Sequence, residues 1–372
     1  MQSTLPPDLI SKKSTSLIRV GRWIHQNFFS SIGNSLLTII LVYFLYLILP
    51  PLFNWLFFNA TFSPAESRAA CNPEGACWSV ISTRWQQFVY GFYPEDERWR
   101  INFGFILFFF FTAWLLIRKM PGRKYAGIAL FLICPFVVFW LFYGGWGLKP
   151  VETGLWGGLM LNLIAGGVGI VLSLPIGIIL ALGRRSHLSI LRTVCILFIE
   201  FIRGVPFITV LFMSSVMLPL FLPDGLVIDK LLRAMIGIAI FGGAYMAEIV
   251  RGGLQALPKG QYEAGYALGL GYWKINRLII LPQALRIVIP GIVNSFISLF
   301  KDTTLLTQIG IFELLGIAQA ATRDANWAGL SKEGYVFTAF IFFIVCFAMS
   351  RYSLYIEKQL NRSNPKNFEK RS

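Results

Sequence analysis

Long uninterrupted stretches of apolar residues constrain this 372-residue chain more than any other feature of its sequence. A helix needs roughly 20 apolar residues to cross the ~30 Å hydrocarbon core of a bilayer, and several stretches reach that length. Charged residues make up only 14% of the chain, well below the roughly 25% that is usual in soluble domains. The sequence therefore predicts an all-α polytopic membrane protein.

Hydropathy predicts about eight transmembrane helices, three before residue 150 and five after it. The expected spans are 35–57, 102–117, 125–143, 155–182, 205–222, 231–250, 284–304 and 334–356. The segment 188–203 is less apolar, and the Arg-Gly-Val-Pro sequence at 203–206 separates it from the following span. We expect this segment to form an elbow near the membrane surface.

Basic residues predict how these helices are oriented, because cytoplasmic loops carry an excess of Lys and Arg. The N-terminus, the 118–124 turn and the 183–192 stretch are all basic and fall on one side if there are eight spans. Both termini, including a basic tail at 359–372, are then cytoplasmic, and a loop at about 59–100 is external. Membrane orientation accounts for the formal net charge of +15 better than nucleic-acid binding does.

Two of the five cysteines, Cys71 and Cys77, flank Asn-Pro-Glu-Gly-Ala in the predicted external loop. A separation of six residues permits a disulfide in an oxidising compartment without requiring one. The sequence leaves this pairing open.

A ridge of small residues marks the fourth predicted span. Its members recur at every fourth position and are Ala165, Gly169, Ser173, Gly177 and Ala181. Such a ridge allows the backbone of another helix to approach closely. The partner helix belongs either to the same chain or to a second subunit.

The chain lacks the residue patterns of a catalyst. It contains no Gly-Lys dipeptide, so it has no GxxxxGK[ST] phosphate-binding loop. Its two histidines, His25 and His187, lie far from any Cys or acidic cluster with metal-ligand spacing. We therefore expect no catalytic residue, no metal site and no cofactor in this chain.

Residues 251–283 are a polar, glycine-containing stretch between two apolar spans, and the predicted topology places them in the cytoplasm. Because Gly269 and Gly271 disfavour a continuous helix, we expect a short helix, a loop and a second short helix. One interpretation is a compact surface for a cytosolic partner. The alternative is an amphipathic helix in the membrane interface, anchored by Tyr272 and Trp273.

Seven residues follow one another along this stretch in a recognisable pattern: Glu263, Ala264, Gly265, Gly269, Ile279, Leu281 and Pro282. This pattern resembles the EAA loop of bacterial ABC importer permeases. In that family the loop forms coupling helices that dock on an ATP-binding subunit and transmit its closure to the membrane helices. The resemblance implies the same role here. Independently of it, Pro282 is expected to mark the restart of helix before the next span. Gly265 departs from the family pattern, which has Ala at that position.

Three flanking segments extend the resemblance to the polar amino acid branch of these permeases. They are EFIRGVPFITVLF (200–212), GAYMAEIVRGGLQALPKGQYEA (243–264) and IPGIVNSFISLFKDTTL (289–305). The resemblance implies a five-helix type I permease core at 151–358. Residues 1–150, with three extra helices, resemble the N-terminal extension of the longer permease in general L-amino acid transporters.

The resemblance also implies partners for this chain. ATP and Mg²⁺ would be bound by a separate dimer of ATP-binding subunits. A second, homologous permease would complete a heterodimer, and a periplasmic amino-acid-binding protein would deliver substrate. The expected location is the bacterial cell inner membrane.

Charged residues near the cytoplasmic ends of two helices suggest structural ion pairs. Glu200 and Arg203 are spaced i, i+3, and so are Glu248 and Arg251. This spacing places both members of a pair on one helical face. We therefore predict a salt bridge within each pair rather than contact with substrate.

A second polar group lies deeper, in the seventh predicted span. Asn294, Lys301, Asp302 and Thr303 are candidates for lining a translocation path. Charges inside a membrane usually face a cavity or a partner, and a zwitterionic amino acid needs groups of both signs. Helix-end charge explains the same residues equally well.

The expected function is a permease subunit of an ATP-driven importer for L-amino acids that works by alternating access. An ion-coupled secondary carrier for amino acids is the alternative. It would require inverted repeats, interrupted helices and a carboxylate near the midplane, and the sequence gives no clear sign of them. A membrane scaffold without transport activity would leave the EAA loop unexplained.

Overall fold

The computed structural model describes residues 14–117, 120–223 and 225–362. Within these ranges the chain consists of helices and turns with isolated β-bridges. Its contacts divide it into two compact units, the first ending at Ser79 and the second beginning at Val80. The predicted tail lies mostly outside the described residues, and a domain boundary near residue 150 stays a prediction.

Two helices open the first unit. An amphipathic helix, α1 (Ser14–Phe28), is followed by the apolar α2 (Ile32–Phe53). The Ser31 hydroxyl caps α2 by accepting a hydrogen bond from the Asn34 N–H, 3.2 Å away. A π-helical turn at Asn54–Phe58 continues α2, and the combined stretch Ile32–Phe58 is long and apolar enough to cross a membrane, as the first predicted span requires.

A disulfide joins Cys71 to Cys77 in the same unit, with 5.6 Å between their Cα atoms. The closed loop is attached to the end of the first span, because the Trp78 Nε1–H donates to the carbonyl of Leu56 at 2.9 Å. The pairing that the sequence left open is therefore present.

The helices after this loop run along the chain in the following order. They are α3 (Ser79–Thr83), α4 (Trp85–Tyr90), α5 (Arg98–Leu116), α6 (Arg123–Ile128), α7 (Cys134–Tyr143), α8 (Gly158–Arg184), α9 (Ser189–Gly204), α10 (Phe207–Phe212), α11 (Lys230–Gln255), α12 (Lys259–Ala267), α13 (Tyr272–Ile275), α14 (Leu281–Asp302), α15 (Leu314–Ala321) and α16 (Ser331–Arg362).

In the described part of the chain, five helical stretches are long and apolar enough to cross a membrane. They are Ile32–Phe58, Gly158–Arg184, Lys230–Gln255, Tyr272–Ile309 and Ser331–Gln359. The bent pair Ser189–Gly204 and Phe207–Phe221 counts as a sixth if it forms one span. The apolar α5 and the α6–α7 stretch bring the total to the about eight helices expected from hydropathy.

A sharp bend of 109° separates α9 from the helix that begins at Phe207. Val205, which precedes Pro206, adopts an extended conformation. The reason is that a proline ring disfavours helical geometry in the residue before it. The predicted bend before Pro206 is confirmed, and its location near the membrane surface stays a prediction.

The small-residue ridge of α8 packs against α11 of the same chain. All five of its members are buried. A Cβ atom built on Gly169 would lie 2.6 Å from Cγ2 of Ile238, and one on Gly177 would lie 2.6 Å from Cβ of Met246. The ridge therefore serves packing within the subunit, where it brings α8 and α11 close together.

The second short helix of the 251–283 segment does not end before the next span. Instead, α13 passes through a π-helical turn at Asn276–Ile280 directly into α14. The Leu281 N–H donates to the carbonyl of Asn276, and Pro282 follows inside the helix. Because proline lacks an N–H and clashes with the carbonyl four residues earlier, the wider turn accommodates it. The expected restart at Pro282 is wrong.

Candidate functional site

The helix α12 is short because glycine ends it. Gly269 has a φ of 73°, in the left-handed region that favours glycine. The Leu270 N–H donates to the Gly265 carbonyl at 3.1 Å, and the Gly269 N–H donates to the Tyr266 carbonyl at 2.9 Å. These two bonds form a Schellman motif, which satisfies the final carbonyls of α12. The chain then reverses into α13.

The residues of the EAA-like pattern divide between an outer and an inner face. Glu263, Ala264 and Gly269 are exposed, whereas Ile279 and Leu281 pack against a buried cluster beneath the segment. Pro282 is also exposed. The pattern therefore combines surface residues with residues that hold the segment on the helices below.

Apolar side chains accompany the exposed residues of the pattern. The exposed fraction is 76% for Leu268, 72% for Trp273 and 65% for Leu278. Together with Glu263 and Ala264, these three residues make up what we call the α12–α13 surface. Large apolar side chains left open at a turn between helices are typical of a contact surface for a partner.

Gly265 is the one buried residue of α12. A Cβ atom built there would lie 2.9 Å from Cγ1 and 3.0 Å from Cδ1 of Ile275. The Ile275 side chain therefore occupies the space that an alanine methyl group would need. This contact gives a physical reason for glycine where the family pattern has alanine.

Two polar links connect α12 to the helices beneath it. The side-chain amides of Gln261 and Gln283 bond reciprocally, with N···O distances of 3.1 and 2.8 Å. On the next residue, the Tyr262 hydroxyl accepts a hydrogen bond from Arg185 Nη1 at 3.0 Å. The Arg185 guanidinium also lies over the Tyr262 ring, 5.4 Å from its centroid.

A cluster of five charged residues connects α8, α9 and α11. Glu248 lies 2.6 Å from Arg184, 2.8 Å from Arg251 and 3.8 Å from Arg203. The predicted Glu248–Arg251 pair is present. Glu200, however, pairs with Arg184 at 2.9 Å, so the predicted Glu200–Arg203 pair is wrong. The end of α8 brings Arg184 between the two acids, which spacing along a single helix does not reveal.

A cavity of about 470 Å³ begins beside this cluster and follows α14. Its lining includes Arg203, Tyr245, Glu248, Asn294, Ser298 and Asp302. From Gly291 to Asp302 it extends along about 16 Å of helix at 1.5 Å per residue. Groups of both signs face this space, so it suits a small molecule that carries both charges.

Two of the four candidate path residues line this cavity and two do not. Asn294 and Asp302 line it, whereas Lys301 is exposed outside it. Thr303 is buried and donates to the Phe300 carbonyl at 2.7 Å. The positive charge in the cavity comes from Arg203 instead of Lys301.

Sequence reasoning assigned Arg203 and Glu248 a structural role only and missed their place in the cavity wall. A signal was present in α14. Asn294, Ser295, Ser298 and Asp302 follow helical spacing and form one polar stripe on α14. The opposite wall comes from α11 and α9, which only the tertiary structure identifies.

Several known proteins are similar to this chain. Residues 173–362 match the family "Binding-protein-dependent transport system inner membrane component". The inner membrane amino-acid ABC transporter permease protein YhdY of Escherichia coli (strain K12) is 53% identical over 357 residues, 96% of each chain. The glutamate/glutamine/aspartate/asparagine transport system permease protein BztC of Rhodobacter capsulatus is 39% identical over 428 residues, covering 96% of this chain and 98% of that relative.

A solved structure of an amino acid ABC transporter with histidines is 28% identical and has a TM-score of 0.48. The match covers 54% of this chain and 92% of the chain in that structure. The family match and the two full-length relatives agree in kind. The chain belongs to the binding-protein-dependent transport system inner membrane components, which are the permease subunits of ABC transporters.

Proposed function

We propose that this chain moves L-amino acids through the inner membrane as one subunit of an ATP-driven importer. YhdY and BztC support the substrate class, because both names specify amino acid transport. The observation that carries the proposal is the α12–α13 surface, which leaves Leu268, Trp273 and Leu278 open beside Glu263.

The α12–α13 surface docks on an ATP-binding subunit in this proposal. Glu263, Ala264 and Gly269 contribute from the exposed side of the EAA-like pattern. Gly265, Ile279 and Leu281 keep the two short helices in place, and Pro282 lies exposed in the first turn of α14. ATP and Mg²⁺ act in the partner, whose closure moves the helices and alternates access to the path.

The cavity along α14 is the proposed path for the amino acid. Asp302 makes no hydrogen bond or ion pair within the described residues and is available to a substrate ammonium group. Arg203 is available to the carboxylate, because its nearest acid, Glu248, lies 3.8 Å away and is bonded more closely to other arginines. Asn294 lies about two turns before Asp302 on α14 and adds a neutral amide to the same wall.

Further partners and the orientation complete the proposal. A second, homologous permease forms a heterodimer with this chain, and a periplasmic amino-acid-binding protein supplies the substrate. Both termini lie in the cytoplasm, which puts α12 on the same side as the ATPase. A secondary carrier does not account for membership of an ABC permease family.

Purification of the whole complex tests this proposal. A tagged chain should co-purify with a stoichiometric ATPase and, in proteoliposomes, take up radiolabelled amino acids only with ATP. Leu268→Glu should remove the ATPase, because it places a charge on an apolar contact. Lys332→Glu is the control, because Lys332 is exposed in the first turn of α16, on the side opposite the ATPase in this proposal; this variant should retain the ATPase. Uptake driven by an ion gradient without ATP or an ATPase would overturn the proposal.

A further inference from the structure

The helix α12 has few ways to transmit a movement to the membrane helices. Only one of its residues, Gly265, is buried. The Tyr262 ring also packs against the buried cluster beneath the segment, so a force applied to the outer face of α12 reaches the body of the protein through these few packed residues and through directed side-chain contacts. Two adjacent residues, Gln261 and Tyr262, make those contacts.

The first contact leads to α14. Gln283 lies near the start of α14 and exchanges two amide hydrogen bonds with Gln261. Its Nε2 also donates to the Ile279 carbonyl at 2.8 Å, which fixes the side chain relative to its own helix. Since Asn294 and Asp302 of the same helix line the cavity, a displacement of Gln261 acts on the cavity wall.

The second contact leads to the end of α8. Arg185 donates to the Tyr262 hydroxyl at 3.0 Å and to the Leu254 carbonyl at 3.3 Å. It therefore joins α12 to α8 and to the last turn of α11. The guanidinium also lies over the Tyr262 ring, so the contact is held by a hydrogen bond and by a cation–π interaction.

The residue before Arg185 continues this connection into the cavity wall. Arg184 lies 2.6 Å from Glu248, and Glu248 lines the cavity together with Arg203. Tyr262, Arg185, Arg184 and Glu248 thus form one contiguous series of contacts from α12 to the path. Energetic coupling between distant sites travels through such packed and hydrogen-bonded networks.

We infer that Gln261, Tyr262, Arg185 and Gln283 are positioning residues that convert movement of α12 into movement of the cavity walls. Tyr262 acts on α8 and Glu248 through the consecutive residues Arg185 and Arg184, and Gln261 acts on α14 through Gln283. None of the four belongs to the EAA-like pattern. This inference rests on the proposed function, because it requires an ATPase that pushes on α12.

The experiment measures amino acid uptake and ATP hydrolysis together in the reconstituted complex. The variants are Tyr262→Phe, which removes the bond to Arg185 but keeps the ring, Arg185→Met, and Gln283→Met. We expect each to keep its ATPase and to lose uptake per ATP by about two- to thirty-fold. The double variant Tyr262→Phe/Arg185→Met should be no worse than Arg185→Met alone, since both changes break one link.

Matched controls come from positions outside the network. Arg192→Met removes an exposed arginine of α9 whose side chain makes no hydrogen bond within the described residues, and Tyr335→Phe removes an exposed tyrosine hydroxyl of α16. Both should keep wild-type uptake per ATP. Gln261→Met tests the amide link independently, so a poorly folded Gln283 variant does not decide the result.

The outcomes separate this inference from the proposed function. If the wild-type chain binds no ATPase, the proposed function fails. If the wild-type complex works and all four single variants keep wild-type uptake per ATP, the transmission role is wrong. The transmission role is also wrong if the variants lose the ATPase, because these residues would then maintain docking instead of transmitting movement.

Discussion

At the scale of single residues, Glu313 shows how one buried carboxylate organises several segments. Its Oε1 accepts from the Thr307 hydroxyl at 2.6 Å and the Gly316 N–H at 3.0 Å. Its Oε2 accepts from Asn162 Nδ2 and the Leu315 N–H, both at 2.9 Å. The carboxylate thereby caps α15 and joins it to α8. All four donors need an acceptor, so neither oxygen is dispensable.

Replacing this carboxylate by an amide should therefore destabilise the fold. Glu313→Gln places an NH₂ group against two donors, and we expect it to cost about 1–3 kcal/mol of unfolding free energy. Thermal unfolding of the purified protein in detergent measures the difference. Glu66→Gln changes an exposed acid in the same way and should have no effect. An unchanged melting temperature for Glu313→Gln would contradict the hydrogen-bond arrangement.

The same residue predicts a pH dependence of stability. Burial raises the pKa of Glu313 above its ordinary value of 4.5, although hydrogen bonds from Thr307, Asn162 and two backbone N–H groups oppose the shift. The folded protein then binds a proton more tightly than the unfolded chain does. The stability contributed by this group is greatest at low pH and falls as the pH rises from about 4.5 through the raised pKa. Melting curves between pH 4.5 and 7.5 should show a smaller decline in Glu313→Gln than in the wild type.

At the scale of elements, the contact between α8 and α11 depends on the absence of side chains. A Cβ atom on Gly177 would lie 2.6 Å from Cβ and 2.9 Å from the backbone carbonyl carbon of Met246. Backbone atoms do not yield as a flexible side chain does. The helices must therefore separate to admit even a methyl group.

We expect Gly177→Ala to destabilise the protein by about 1–3 kcal/mol through overpacking. Gly167→Ala is a matched control in the same helix, since nothing lies within 4 Å of a Cβ atom there. That control should be neutral or gain up to about 1 kcal/mol from helix propensity. Equal melting temperatures for the two variants would show that α8 and α11 leave room for a methyl group at position 177.

The 251–283 segment offers a second pair of variants at this scale. Gly265→Ala pushes on Ile275 and should shift α12 relative to α13, whereas Gly260→Ala in α12 meets nothing within 4 Å. We expect the first to lower uptake per ATP by about two- to tenfold and the second to leave it unchanged. If Gly265→Ala transports like the wild type, the space beside Ile275 does not matter for coupling.

At the scale of the whole molecule, the number and direction of the spans set which surfaces reach which compartment. If the number of spans before α12 differed from the expected number by one or three, the α12–α13 surface would lie on the other side of the membrane. Cysteine labelling on intact cells tests the direction. Asp96→Cys and Lys332→Cys, both at exposed positions, should react with a membrane-impermeant maleimide, whereas Leu268→Cys should react only after permeabilisation. The wild type serves as the blank, and labelling of Leu268→Cys in intact cells would refute the orientation.

The amino-acid sequence by itself determined the all-α membrane class, the total of about eight apolar helices, the bend before Pro206 and the place of the α12–α13 surface along the chain. These features depend on apolar length, on proline and glycine geometry and on a local pattern of residues. Each is settled within one stretch of chain, so neighbouring sequence is enough to predict it.

Only the tertiary structure decided which charges meet and which polar residues share the cavity. Glu200 bonds to Arg184 on another helix instead of Arg203 on its own, and Arg203 supplies the positive charge expected from Lys301. The continuous helix through Pro282 likewise depends on a π-helical turn. Partners far apart in sequence come together through helix packing, because the ridge of α8 fixes how closely α11 approaches and thus which side chains face each other.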